Sequence, residues 1–126
     1  MMNIEITKST KELTKVESVK IARSKTALSL DEVSKEKAKN GEVFTIHVDN
    51  FIVLHIVNDE AKKDEDKDFI RYMIQTDGAL YFTRSQAFAQ EFMLLTEMME
   101  GENFDINVVR VVSSETGKDY LSCEIA

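Results

Sequence analysis

Two histidines, His47 and His55, and one cysteine, Cys123, are all that this 126-residue chain offers from the side chains that most often bind metals or activate nucleophiles. One cysteine and two histidines fall short of a Cys/His zinc set and exclude an internal disulfide. No glycine-rich phosphate loop occurs, no nucleophile elbow, and no serine or cysteine with a histidine and an acid at suggestive spacing. The 23 carboxylates are so abundant that any chosen pair is uninformative, and a solvated surface accounts for each. These residues predict a protein that binds and does not catalyse, with no cofactor and no small-molecule substrate.

A second kind of chemistry is open to the flat side chains. Residues 44–58, FTIHVDNFIVLHIVN, are rich in β-branched and aromatic types and predict one long strand. Phe44, Ile46, Val48, Ile52, Leu54 and Ile56 share its even face, and Asp49-Asn50 marks a bulge or bend. Its odd face offers His47, Phe51, Val53 and His55, and a following hairpin adds Phe69, Arg71, Met73 and Tyr81. Rings interleaved with a guanidinium suit single-stranded nucleic acid, because unpaired bases stack on aromatic side chains for about 1–3 kcal/mol each while cations follow the backbone. The expected contact set is Tyr81, Arg71, Phe51, His55, His47 and Phe69, joined by Lys20, Arg23 and Lys25 from the amino-terminal segment. The competing reading has Phe51 and Phe69 covered by that segment or by a partner subunit, Arg71 solvated or salt-bridged, and both histidines as ordinary polar strand residues.

The net charge of −7 opposes a polyanionic partner, since neutralising phosphates supplies most non-specific affinity. Its distribution reduces the conflict. Residues 1–40 carry nine Lys and Arg against six Asp and Glu, net +3, whereas residues 41–126 carry seven against seventeen, net −10. No apolar run approaches the ~20 residues of a membrane helix and no secretory leader is evident, so the expectation is a cytoplasmic protein with no membrane partner.

The positioning elements follow from periodicity and from four glycines, with no proline anywhere. A short helix is predicted over Leu30–Lys39, and the polar stretch NDEAKKDEDK, residues 58–67, is an exposed loop. For the hairpin, a two-residue Asp77-Gly78 turn would pair Ile74 with Tyr81 and mix polar and apolar residues on both faces. A three-residue loop pairs Ile74 with Leu80 and Tyr72 with Phe82, and is preferred because it gathers apolar residues on one side. Thr83 to Gln86 forms a capping box for a helix whose stripe is Phe88, Phe92, Leu95 and Met99, ending at Gly101. Two strands follow, Phe104–Val112 and Tyr120–Ile125, with Phe104, Ile106, Val108, Leu121, Cys123 and Ile125 inward. In residues 1–28, Ile4 and Ile6 alternate, as do Val19 and Ile21, giving a basic arm or accessory strand. The fold class is all-β with one helix: a five-stranded OB barrel over 29–126, its helix between the third and fourth strands.

With the hairpin and helix located, residues from Gly41 onward resemble the single-stranded DNA-binding proteins of small protein-primed tailed phages, the phi-twenty-nine-like group, or related plasmid-encoded proteins. The likeness lies in Asp77-Gly78-Ala79-Leu80-Tyr81, then a helix, then a strand entering a loop with Ser113, Ser114 and Gly117. The resemblance implies a protein of a bacterial host cell that coats single-stranded DNA during replication or transfer, with Tyr81 at a base-stacking tyrosine position. Where the family has tyrosines near the end of the first strand and in the next loop, this chain has His55 and the Lys62 region. Because strand binders often act cooperatively, a homo-oligomer bridged by residues 1–28 is also expected. The alternative is a protein–protein interaction module on an OB-like barrel.

Overall fold

The computed structural model describes residues 2–126. Twelve segments of regular structure follow one another: β1 (Met2–Ser9), α1 (Lys15–Ala22), β2 (Leu28–Ser29), α2 (Leu30–Lys39), β3 (Phe44–Val48), β4 (Asn50–Asn58), a 3-10 turn (Asp64–Asp66), β5 (Asp68–Thr76), β6 (Ala79–Thr83), α3 (Gln86–Met98), β7 (Phe104–Val112) and β8 (Asp119–Ile125). The fold is mostly β with three α-helices, two of them where helices were expected, so the class of all-β with one helix undercounts them. Its strands form a five-stranded sheet ordered β1-β4-β5-β6-β2 and a three-stranded sheet ordered β3-β7-β8, and the two do not close into one barrel.

The predicted long strand over 44–58 divides at Asp49. β3 pairs with β7 from Phe44↔Val108 to Val48↔Phe104, while β4 pairs with β5 from Asn50↔Gln75 to Val57↔Asp68, so one chain segment serves both sheets. The bend is held by the Asp49 amide, which donates to the Gln75 carbonyl at 2.9 Å, and by the buried Asn50 side chain, whose Oδ1 accepts from the Lys11 amide at 3.1 Å. Beyond the bend the even face changes environment. Phe44, Ile46 and Val48 join Phe51, Val53, Ile74, Phe88 and Phe92 in a larger core between the sheets, roofed by α3. Ile52, Leu54 and Ile56 join Met73 and Ile21 in a smaller core on the opposite side of the five-stranded sheet, covered by α1.

The hairpin register differs from the preferred one. Ile74 lies opposite Tyr81 and Gln75 opposite Leu80, the register of the two-residue Asp77-Gly78 turn, with Gly78 at φ 72°. Mixed polarity was held against this turn on the premise that one face of the hairpin is solvent. Both faces are covered, so both accept apolar residues.

Residues 2–28 form paired and packed structure. β1 runs antiparallel to β4 from Met2↔Asn58 to Ser9↔Ile52, with a bulge between Ile6 and Lys8, which fits the alternation of Ile4 and Ile6. Val19 and Ile21 instead lie on α1, whose start carries a complete capping box between Thr14 and Glu17. The predicted helix over Leu30–Lys39 is α2, with Ser29 as its cap. α3 is capped by Ser85, whose hydroxyl accepts from the Phe88 amide at 3.2 Å. Thr83, expected in that role, is buried at the end of β6 and donates to Asp31 of α2 at 3.0 Å, tying helix to strand.

Candidate nucleic-acid interface

Antiparallel pairing decides which predicted contact residues meet. In the β4–β5 ladder Phe51 faces Ile74, Leu54 faces Arg71 and Ile56 faces Phe69. Odd residues of one strand therefore share a face with even residues of the other. The expected common face of Phe51, Val53, His55, Phe69, Arg71, Met73 and Tyr81 is split in two: Phe51, Val53, His55 and Tyr81 lie on the side of the larger core, and Phe69, Arg71 and Met73 on the side of α1.

Phe51 is 1% exposed, its ring 4.6 Å from that of Phe92 and stacked 6.2 Å from Tyr72, so it is core, packed against α3 and β5. Tyr81 is half-buried and meets Phe44 edge-on at 5.6 Å. His55 Nε2 lies 2.6 Å from Asp68 Oδ1. His47, on the outer side of β3, places Nδ1 2.6 Å from Asp105 and Nε2 3.2 Å from Asp49. The hydrogen bond to Asp105 raises the His47 pKa above its ordinary value, and the nearby carboxylates add to the effect. Both histidines are thus engaged by carboxylates.

Four of the remaining predicted residues converge. Arg23 and Lys25, just after α1, and Phe69 and Arg71, on β5, line one groove of about 490 Å³ between the end of α1, β1 and the five-stranded sheet. Arg84 joins them, its guanidinium 3.8 Å above the centroid of the Phe69 ring. That stack leaves Nη1 donating to Asp66 Oδ1 at 2.8 Å and Nη2 to the Glu65 carbonyl at 2.6 Å, so the acidic loop reaches the groove's rim. Sequence reasoning missed Arg84. The one available signal was its place, a single residue beyond the hairpin strand that carries Phe82. Lys20 lies apart from the groove, in a shallow depression beside the Asp77-Gly78 turn.

The groove gathers several cations. Among the described residues Arg23, Lys25 and Arg71 form no ion pair, whereas Lys37, Lys67, Arg84 and Arg110 each hold a carboxylate. Arg71 stands 4.6 Å over the Phe82 ring, and its Nε is buried with no hydrogen-bond partner. Burial first, and then the charge of Arg84, hold its pKa below the ordinary guanidinium value. Two crowded guanidiniums, one of them without an acceptor, gain from any anion that enters.

No protein-family model, curated protein or solved structure matches the chain. Among the described residues no three His, Cys, Asp or Glu side chains are grouped so as to hold a metal ion, and no helix is long and apolar enough to cross a membrane.

Proposed function

We propose that the chain is a sequence-tolerant single-stranded DNA-binding protein that coats DNA during phage or plasmid replication or transfer, and that the strand lies in the Arg23–Lys25–Phe69–Arg71–Arg84 groove. The observation that carries this reading is the convergence, on a chain of net charge −7, of three cations free of ion pairs with a ring already stacked by a guanidinium. Phosphate oxygens would supply the acceptors that Arg71, Arg23 and Lys25 lack, and a base would extend the Phe69–Arg84 stack. Stacking expected of Tyr81 passes to Phe69, since Tyr81 leans on Phe44. We read the order β3 with β4, β5, β6, α3, β7, β8 as that of an OB fold whose long first strand divides between two sheets at Asp49.

The test is a fluorescence anisotropy titration with labelled oligo(dT) over a salt series. Binding should tighten as salt falls, and each of Arg23→Ala and Lys25→Ala should flatten the log–log salt slope by about 0.7, the single-strand value per phosphate contact. Phe69→Ala should weaken binding by about 1–3 kcal/mol with little change in slope. No binding at low salt, where electrostatic contacts are strongest, eliminates the proposal.

One observation favours the alternative of a protein-interaction module: Arg84 is satisfied by the Asp66 carboxylate and the Glu65 backbone carbonyl, groups that a polypeptide partner would also present. An acidic peptide that binds the groove while oligo(dT) does not compete would select that reading.

A further inference from the structure

The three-stranded sheet ends in an open edge. β8 pairs with β7 on one side and, among the described residues, with no strand on the other. Bonds beyond both ends of that ladder fix its phase: the Ala126 amide donates to Asp105 at 3.1 Å and the Ser113 amide to Lys118 at 2.9 Å. Both pairs keep the register of Ser122 with Val109, so even residues of β8 bond inward to β7. Asp119, Leu121, Cys123 and Ile125 therefore turn their amides and carbonyls to the open side.

Proteins usually blunt such an edge with a bulge, a lysine, a proline or a very short strand. The five-stranded sheet does so at both ends. β1 carries a bulge between Ile6 and Lys8, and β2 has only two residues. β8 is seven residues long, without lysine, proline or a break in register. Around it lies apolar surface: Ile125 is 46% exposed and Tyr120 40%. α3 packs on β8, and its side bearing Glu91, close enough for its charge to act on the Cys123 thiol, continues through the exposed Leu94 and Met98 at helical spacing.

We propose that a second copy of this chain occupies this edge, the two β8 strands pairing antiparallel about Ser122 to join two three-stranded sheets into one of six. The strand is complementary to itself in this register. Leu121 meets Cys123 of the second copy on the core face, Tyr120 meets Glu124, Asp119 meets Ile125, and no two like charges stand opposite. Ser122 meets its own counterpart as a non-hydrogen-bonded pair, where Cα atoms approach to about 4.5 Å. Leu94 and Met98 of both copies flank the joint. The groove on the far face of the other sheet shares none of these residues, so this assembly does not rest on the nucleic-acid reading.

Self-opposition makes a decisive experiment. Sedimentation equilibrium of the full chain, over micromolar to millimolar concentrations, should give twice the single-chain mass of 14.4 kDa. Ser122→Lys and Ser122→Glu, each folded by circular dichroism, should each weaken association by roughly tenfold or more, since like charges meet at the shortest cross-strand distance. An equimolar mixture of the two variants should dimerise again, because Lys then faces Glu. A wild-type chain that stays at the single-chain mass overturns the proposal. So does a dimer that neither variant weakens, or a pair of weakened variants that mixing fails to restore.

Discussion

On one side of the five-stranded sheet, rings of Phe51, Tyr72, Phe88, Phe92 and Phe104 meet within about 6 Å between two sheets and a helix. On the other, aliphatic residues of β4 and β1 lie under α1, a helix of eight residues that buries Ile21 alone and exposes Val16 and Val19. The first side is closed and carboxylate-rich around its rim; residues 86–126 hold eight Asp and Glu against two Lys and Arg. The second is thinly covered and holds Arg23, Lys25 and Arg71. The more densely packed face is expected to carry more of the stability, and the proposed groove lies where packing is least costly to disturb.

Phe92→Ala gives the strongest way to break this comparison. Phe92 is fully buried between three other rings, and its loss should cost about 3–5 kcal/mol in chemical denaturation. Met73→Ala, under α1, should cost nearer ~2 kcal/mol, because a short helix settles into a void more readily than a sheet does. Equal losses would show that the two sides bear equal load.

Arg71→Leu sharpens the comparison from the other direction. Removing a buried donor that has no acceptor should leave stability unchanged or raise it by about 1 kcal/mol, while oligo(dT) affinity falls about tenfold. A variant that loses stability and binding together would make Arg71 a structural residue.

Thr14→Ala removes the hydroxyl half of the α1 capping box, worth about 1 kcal/mol. Amide exchange should quicken in α1 and stay unchanged in β7, and acceleration in both would mean that α1 opens only with the whole fold.

The smallest effect is expected from His47, which ties β3 to β7 on the closed side. Its raised pKa means that the folded state binds the proton more tightly than the unfolded chain. The stabilisation is therefore complete below the ordinary value of 6.5 and fades as pH rises through the higher folded value. Thermal melts of the wild type should fall over that window relative to His47→Gln, and parallel curves would dismiss the contribution.

Arg23 and Lys25 were legible because charge asymmetry is visible in composition, and Phe69 and Arg71 because strand alternation grouped them; all four line the groove, whereas Lys20, from the same basic segment, lies outside it. Tyr81 and Phe51 were assigned to solvent on the assumption that the strands bury one face. When β4 and β5 bury both, apolar residues occupy odd and even positions alike, and alternation no longer says which way a side chain points. Arg84 reaches the groove only because β6 returns beside β5, and nothing in its neighbours along the chain encodes the ring it covers.

Local order alone determined where α2, α3, the hairpin strands β5 and β6, and β7 and β8 run, because helical and strand periods and glycine turns are short-range signals held within a few residues. Tertiary structure decided that Asp49 divides a strand between two sheets, that the Asp77-Gly78 turn sets the hairpin register, and that Arg23 and Lys25 share one groove with Phe69, Arg71 and Arg84. Those outcomes depend on what lies across each face, and that is fixed by the sum of contacts over the folded chain and not by any segment of it.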